Sequence, residues 1–170
     1  ASAILDGGLY DSLVDGPVRR MGGDDFIFPT GDVRDGRAHR GLVGMSAQGG
    51  SSDTDVQYFW RNGHEDFGTR LRPMLAAVSD KEYWQVWGQH PVDLSPMYEP
   101  TSSVAELIES VPGATSADLT IAGWDGVEWI DLDGRPGPMS NELAGFVKAR
   151  VQVPRQFLAI TFGIRIRSEE

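Results

Sequence analysis

The residues best suited to chemistry lie in one stretch, DLTIAGWDGVEWIDLDG (118–134). Trp124 and Trp129 flank Asp125-Gly126, and Asp131-Leu132-Asp133-Gly134 follows. Paired tryptophans are large apolar plates carrying one N–H, suited either to stacking on a sugar or to filling a core. Carboxylates one residue apart before a glycine match the start of a calcium loop, which makes Asp131 and Asp133 candidate Ca2+ ligands. The stretch lacks the third ligand and terminal Glu of an EF-hand, and Gly134 comes too early. Trp87, in KEYWQVWG (81–88), is a third candidate platform for a ligand or partner.

Other catalytic chemistry has little to work with. Carboxylate pairs occur at Asp24/Asp25, Asp32/Asp35, Asp53/Asp55 and Asp131/Asp133. A glycosidase needs two carboxylates facing each other across a cleft; here most pairs sit beside glycine, where turn chemistry explains them better. His39, His64 and His90 lie far apart, and HEDFG (64–68) is not the H-E-x-x-H of a zinc protease. With no cysteine, thiolate catalysis, disulfides and Cys-based zinc sites are absent together. GMSAQGGSS (44–52) is not a nucleophile elbow, and no phosphate-binding glycine motif opens a helix. The expectation is a chain without catalytic activity. A formal charge of −10 argues against nucleic acid, whose phosphates need a basic face. No apolar run approaches the ~18 residues a membrane helix needs, so no membrane insertion is expected.

The elements that would carry these residues are mostly strands. The 170 residues, 40% of them hydrophobic, fit a single domain spanning 1–170. In FLAITFGIRIR (157–167), Leu158, Ile160, Phe162, Ile164 and Ile166 share one face, the signature of a strand with one face in a core. GFVKARVQV (145–153) alternates too, and Pro154 separates it from the next strand, so the pair forms a hairpin or changes sheets there. DVQYFWR (55–61) and KEYWQVWG are aromatic and β-branched, hence strand-like. DFIFP (25–29) and GLVGMS (41–46) read as shorter strands, and TGDVRDGRAHR (30–40) between them as polar turns. One helix is expected in SSVAELIES (102–110), with Ser103 and Glu106 as a capping box and Pro112-Gly113 after it. Many strands and one short helix predict an all-β fold: an antiparallel β-sandwich, jelly-roll or Ig-like, with the helix in a crossover.

Asp125-Gly126 predicts a two-residue hairpin turn. That register pairs Trp124 with Val127 and Ala122 with Trp129, and it puts both tryptophans on one face with Thr120 and Asp131 at its wetter end. Leu119, Ile121, Ile130 and Leu132 take the other face. The tryptophan face then needs cover from a loop, a neighbouring protein or a glycan.

DSLVDGPVRRMGGDDFIFPTGD (11–32) resembles the G-P-V-x-[KR]-x-G … F-x-F-P-x-G signature of a recurrent module in large secreted and surface adhesin-like proteins of Bacteroidetes-type bacteria. GLVGMS, DVQYFW (55–60), VSDKEYW (78–84) and LTIAGWDGVEWIDLDG (119–134) follow in that module's order. The resemblance spans about 11–134. It implies a non-catalytic β-sandwich in exported proteins, many sent by the type IX route. The chain departs from it in the helical insertion at 97–117 and in lacking flanking repeats.

The expected function is a non-catalytic extracellular or cell-surface structural and adhesive module that self-assembles into fibres or appendages. The partners are other copies or neighbouring surface domains. Residues 1–14, apolar in places, are the candidate exchangeable strand for such assembly. The alternative is a glycan-binding module with Trp87, Trp124 and Trp129 as platforms.

Overall fold

Period-two alternation through the long apolar segments builds strands, and the strands pair into two facing sheets. The computed structural model describes residues 14–22, 26–34, 37–45, 52–88, 94–100, 102–148 and 159–166. The larger sheet runs, in spatial order, Trp129–Asp131 (β12), Leu119–Trp124 (β11), Ala159–Arg165 (β15), Tyr83–Gly88 (β9), Ser52–Phe59 (β7) and Val18–Gly22 (β2). Leu75–Val78 (β8) also pairs with β15, on the flank where β9 joins it. The second sheet runs Arg135–Pro136 (β13), Gly145–Lys148 (β14), Leu94–Tyr98 (β10), Val43–Met45 (β6) and Phe26–Phe28 (β3). A small third sheet joins Val14–Asp15 (β1), Thr30–Arg34 (β4) and Arg37–Arg40 (β5). The named strands pair antiparallel except β1 with β4. The fold is an all-β sandwich, as the pattern predicts.

The core lies between the two large sheets. Ile160, Phe162 and Ile164 of β15, Leu119 and Ile121 of β11, and Val56 and Trp84 meet Phe28, Val43, Leu94 and Val147 from the opposing sheet. Ile160, Phe162 and Ile164 take the core face that the alternation predicts, but Ala159 and Thr161 on the opposite face are buried too and Ile166, expected in the core, is half exposed; burying each of the apolar side chains contributes about 1.5–3 kcal/mol. β14 and β15 belong to different sheets, so between Lys148 and Ala159 the chain changes sheets instead of making a hairpin; the expected break at Pro154 lies outside the described residues. The Trp84 indole N–H donates to the Gly41 carbonyl at 2.8 Å, and the Thr30 hydroxyl donates to the same oxygen at 2.5 Å. These bonds tie the small sheet to the core.

Val104–Glu109 (α2) sits in the crossover from β10 to β11, which carries the chain from one sheet to the other, and buries Val104, Leu107 and Ile108. A four-residue helix, Gly63–Asp66 (α1), is capped by the Asn62 side chain, which accepts from His64 N and Glu65 N. Two expectations need correction. The polar segment 30–40 is a β-hairpin, pairing Asp32 with His39 and Val33 with Ala38, not a run of turns. Ser103 makes no side-chain capping bond to α2. Residues 1–13 lie outside the described residues, so the expected exchangeable strand is described only at Val14, in β1.

Candidate functional site

The tryptophan hairpin pairs Trp124 with Trp129, Gly123 with Ile130 and Ala122 with Asp131. Its loop is therefore four residues, Asp125–Glu128, and not two. The Asp125 carboxylate explains the change: Oδ1 accepts from both Val127 N and Glu128 N at 2.9 Å, an Asx turn that takes two more residues into the loop. Those two bonds hold the Asp125 carboxyl below the usual carboxylate range. Gly126 supplies the φ of +105° the loop requires. A register shift of two residues keeps side-chain parity. Thus both tryptophans still share a face with Ala122, Thr120 and Asp131, while Leu119, Ile121 and Leu132 enter the main core.

The chain itself covers the tryptophan face. Trp129 is 0% and Trp124 7% exposed, in a second cluster with Leu75, Val78, Tyr83, Ala122 and Ala159, against which Phe59, Phe67 and Leu71 pack. The two indoles meet at 5.4 Å, and Phe67 lies edge-on to Trp129 at 6.2 Å. The Trp129 indole N–H donates to the Gly68 carbonyl at 2.9 Å. Gly68 is in close contact, since a Cβ there would stand 2.6 Å from the Trp124 ring. Outside the ring, Trp129 N donates to Arg70 O and Arg72 N to Trp129 O, so residues 70–72 lie along the outer edge of β12. Arg72 closes this cover with a 2.8 Å ion pair to Glu128. On the other side of the cover, Arg61 binds Asp66 through two nitrogens, and the Tyr83 hydroxyl donates to the same carboxylate. The expected stacking platform is thus corrected: Trp124 and Trp129 face protein. Trp87 lies on β9 opposite Asp55, and its side chain is outside the described residues.

At the wetter end of the same face, Asp131 meets a cation, but the cation is an arginine. Arg165 Nε donates to Asp131 Oδ2 at 3.0 Å, and its Nη2 reaches Thr120 Oγ1 and the Gly134 carbonyl. The buried Thr120 hydroxyl donates to Asp131 Oδ1 at 2.5 Å and accepts from Gly134 N. Burial works to raise the Asp131 pKa; the Arg165 guanidinium and the Thr120 hydroxyl outweigh it and hold the group below the usual range. Asp133 forms a 3.1 Å ion pair with Arg135 and lies 3.6 Å from Arg165. A Ca2+ bound here would have to displace Arg165, so the two aspartates act as arginine partners and not as an open ligand pair.

The sequence reading missed a second cluster. β8 and β9 follow each other along β15, and in the break between them the buried Glu82 turns inward. The Tyr58 hydroxyl donates to Glu82 Oε1 at 2.5 Å, while Ser103 N–H (2.8 Å) and the Ser103 hydroxyl donate to Oε2. That hydroxyl has one hydrogen, so Ser79 is the donor in the 2.7 Å Ser79–Ser103 pair. Thr161 donates to the Glu82 carbonyl. Burial raises the Glu82 pKa against the pull of these donors, and burial with the adjacent carboxylate raises that of Tyr58. A cavity of about 260 Å³ opens beside Ser79 and Ser103, with Lys81 and Glu106 at its side. Both hydroxyls are engaged within the fold, that of Ser103 by Glu82 and that of Ser79 by Ser103 and Lys81 N. The signal was present in the sequence: alternation puts Glu82 in phase with Trp84, on the core face.

No protein-family model, curated protein or solved structure matches the chain.

Proposed function

We propose that this chain is a non-catalytic structural and adhesive module of an extracellular or cell-surface protein, and that its copies associate by strand addition. The observation that carries the reading is β1. Val14–Asp15 lies parallel on the edge of β4, with Val14 N donating to Pro29 O at 2.8 Å. The end of the 1–14 segment therefore already occupies a sheet edge, and backbone bonds of this kind can come from the same copy or from a neighbour. Two further observations support it. The groups with chemical potential, Glu82, Asp131, Trp124 and Trp129, are bonded into the fold. The sequence motifs that resemble the adhesin-like surface module include no catalytic residue.

Sedimentation velocity and electron microscopy of the chain, with and without residues 1–14, test the reading. Concentration-dependent oligomers or fibres that the deletion reduces to monomers are expected. Monomers in both preparations at every concentration would sink it.

A further inference from the structure

β1 and β2 follow each other along the chain but belong to different sheets. Val14–Asp15 lies on β4 of the small sheet, and Val18–Gly22 lies on β7 of the large one. Gly16 and Pro17 make the whole corner between them. Gly16 turns that corner with φ +146°, a value that L side chains rarely adopt. Pro17 sharpens the conflict, since the residue before a proline is pushed toward extended backbone at negative φ. Nothing packs on the corner: a Cβ at Gly16 would meet no atom within 4 Å beyond its chain neighbours, and Pro17 is exposed. Glycine is therefore required here by backbone geometry and not by lack of room.

Both sides of the corner are anchored. On one side Val18 is buried, and β2 is held to β7 by five residue pairs from Val18 to Gly22. On the other, Val14 pairs with Thr30 and Asp15 with Gly31, and the Val14 side chain is partly buried against the main core. The seat under β1 belongs to the body of the fold. Thr30 is fully buried with its hydroxyl on the Gly41 carbonyl, and β4 pairs with β5 from Gly31 to Arg34.

We infer that Gly16-Pro17 is a hinge, and that in the associated state the edge of β4 is filled by β1 of a second copy. Strand and seat are already matched, because β1 of the same chain fills that edge in this structure. A neighbour's β1 would repeat the same residue pairs and the same Val14 contact, so these contributions cancel between the closed and the exchanged form. What differs is the corner. Closed on its own β4, the chain needs the positive φ at Gly16. Opened, the stretch from Asp15 to Val18 becomes the extended backbone that Pro17 favours, with a reach of about 10 Å. Glycine adopts either form readily, which leaves the choice to protein concentration. The inference rests on the reading that copies associate by strand addition, and it adds the pivot and the seat.

Two measurements test it. In Gly16→Ala the added Cβ meets nothing, so the substitution acts on the backbone alone. An alanine disfavours the closed corner, and the association constant from sedimentation equilibrium should rise about fivefold or more, equivalent to roughly 1 kcal/mol. The chain has no cysteine, so the double variant V14C/T30C carries a single thiol pair across the β1–β4 register. Oxidised as dilute monomer, the pair should close within one chain. Oxidised in the associated fraction, it should link different copies and give covalent species of two or more on a non-reducing gel. Should the buried Thr30 position reject the thiol, the Gly16→Ala measurement decides alone. Oligomers whose disulfides all lie within single chains, or an association constant in Gly16→Ala no higher than the parent's, overturn the hinge and leave strand addition at another edge in place. A parent chain that stays monomeric at every concentration overturns both.

Discussion

The hydroxyl and the N–H of Ser103 both donate to Oε2 of Glu82, the N–H at 2.8 Å, and Tyr58 donates to Oε1 from the opposite side. A carboxylate in phase with the core residue Trp84 thereby joins β7, the β8–β9 break and the start of α2. Ser79 and Thr161 extend the network.

Glu82 gives stability a pH dependence of defined sign. Burial raises its folded pKa above the ordinary 4.5. Between 4.5 and the folded value the native state binds more protons than the unfolded one, so this group's contribution is complete below 4.5 and declines as pH rises through the folded pKa. Urea midpoints measured from pH 4 to 8 should contain this falling component, and Glu82→Gln should remove it. Glu82→Ala should cost about 1–3 kcal/mol for each donor left unpaired. An identical pH profile in the Gln variant would show that Glu82 does not titrate in this range.

Asp131 contributes with the opposite sign. Its pKa is lowered, so the stability it supplies is present above 3.8 and fades as pH falls through the folded value. Asp131→Asn should cost about 1.5–3 kcal/mol, the range for hydrogen bonds to charged groups. Melting temperature should not move between millimolar Ca2+ and chelator. A calcium-dependent rise that Asp131→Asn abolishes would restore the ligand role and require Arg165 to leave.

Truncating the covered hairpin should be severe. Trp129→Ala should cost about 3–5 kcal/mol, because it opens a cavity and strands the Gly68 carbonyl. Gly68→Ala should push the cover off Trp124, visible as a red shift in tryptophan emission. A glycan panel should leave the parent emission unchanged. A saturable shift on any glycan would reopen the stacking role and point to Trp87.

The faces of the hairpin were legible because side-chain parity survives a two-residue slip; the loop length was not. Asp125 reads as a two-residue turn former, yet its carboxylate captures Val127 N and Glu128 N. Likewise Ser103 and Glu106 have capping-box spacing, but a buried carboxylate competes for the serine, and Glu106 stands 3.7 Å from Lys81. The 30–40 hairpin was hidden by its polarity, since its bonds run through the backbone and Asp32 is spent on Trp60 N. For Ser103 and Asp32 the deciding partner lies far away in sequence, where local pattern carries no information; for Asp125 it lies two and three residues on, and two turn geometries compete for the same residues. The core face of β15 at Ile160, Phe162 and Ile164 was legible from alternation, but the burial of its other face was not, because the tryptophan cluster and the Glu82 segment that cover it come from elsewhere in the chain.

The cover at Arg70–Arg72 has a consequence for order. It occupies the outward N–H and C=O of Trp129 in β12, so the seven-stranded sheet cannot be extended beside Trp129. Among the described strands the sheet's other margin is β2, with no strand beyond it. Among the described residues, the margin at which a strand can be added to this sheet is Val18–Gly22. Copies that each donate another segment to that margin of the next would form a row with a head and a tail, whereas two such margins paired with each other would close a two-fold dimer.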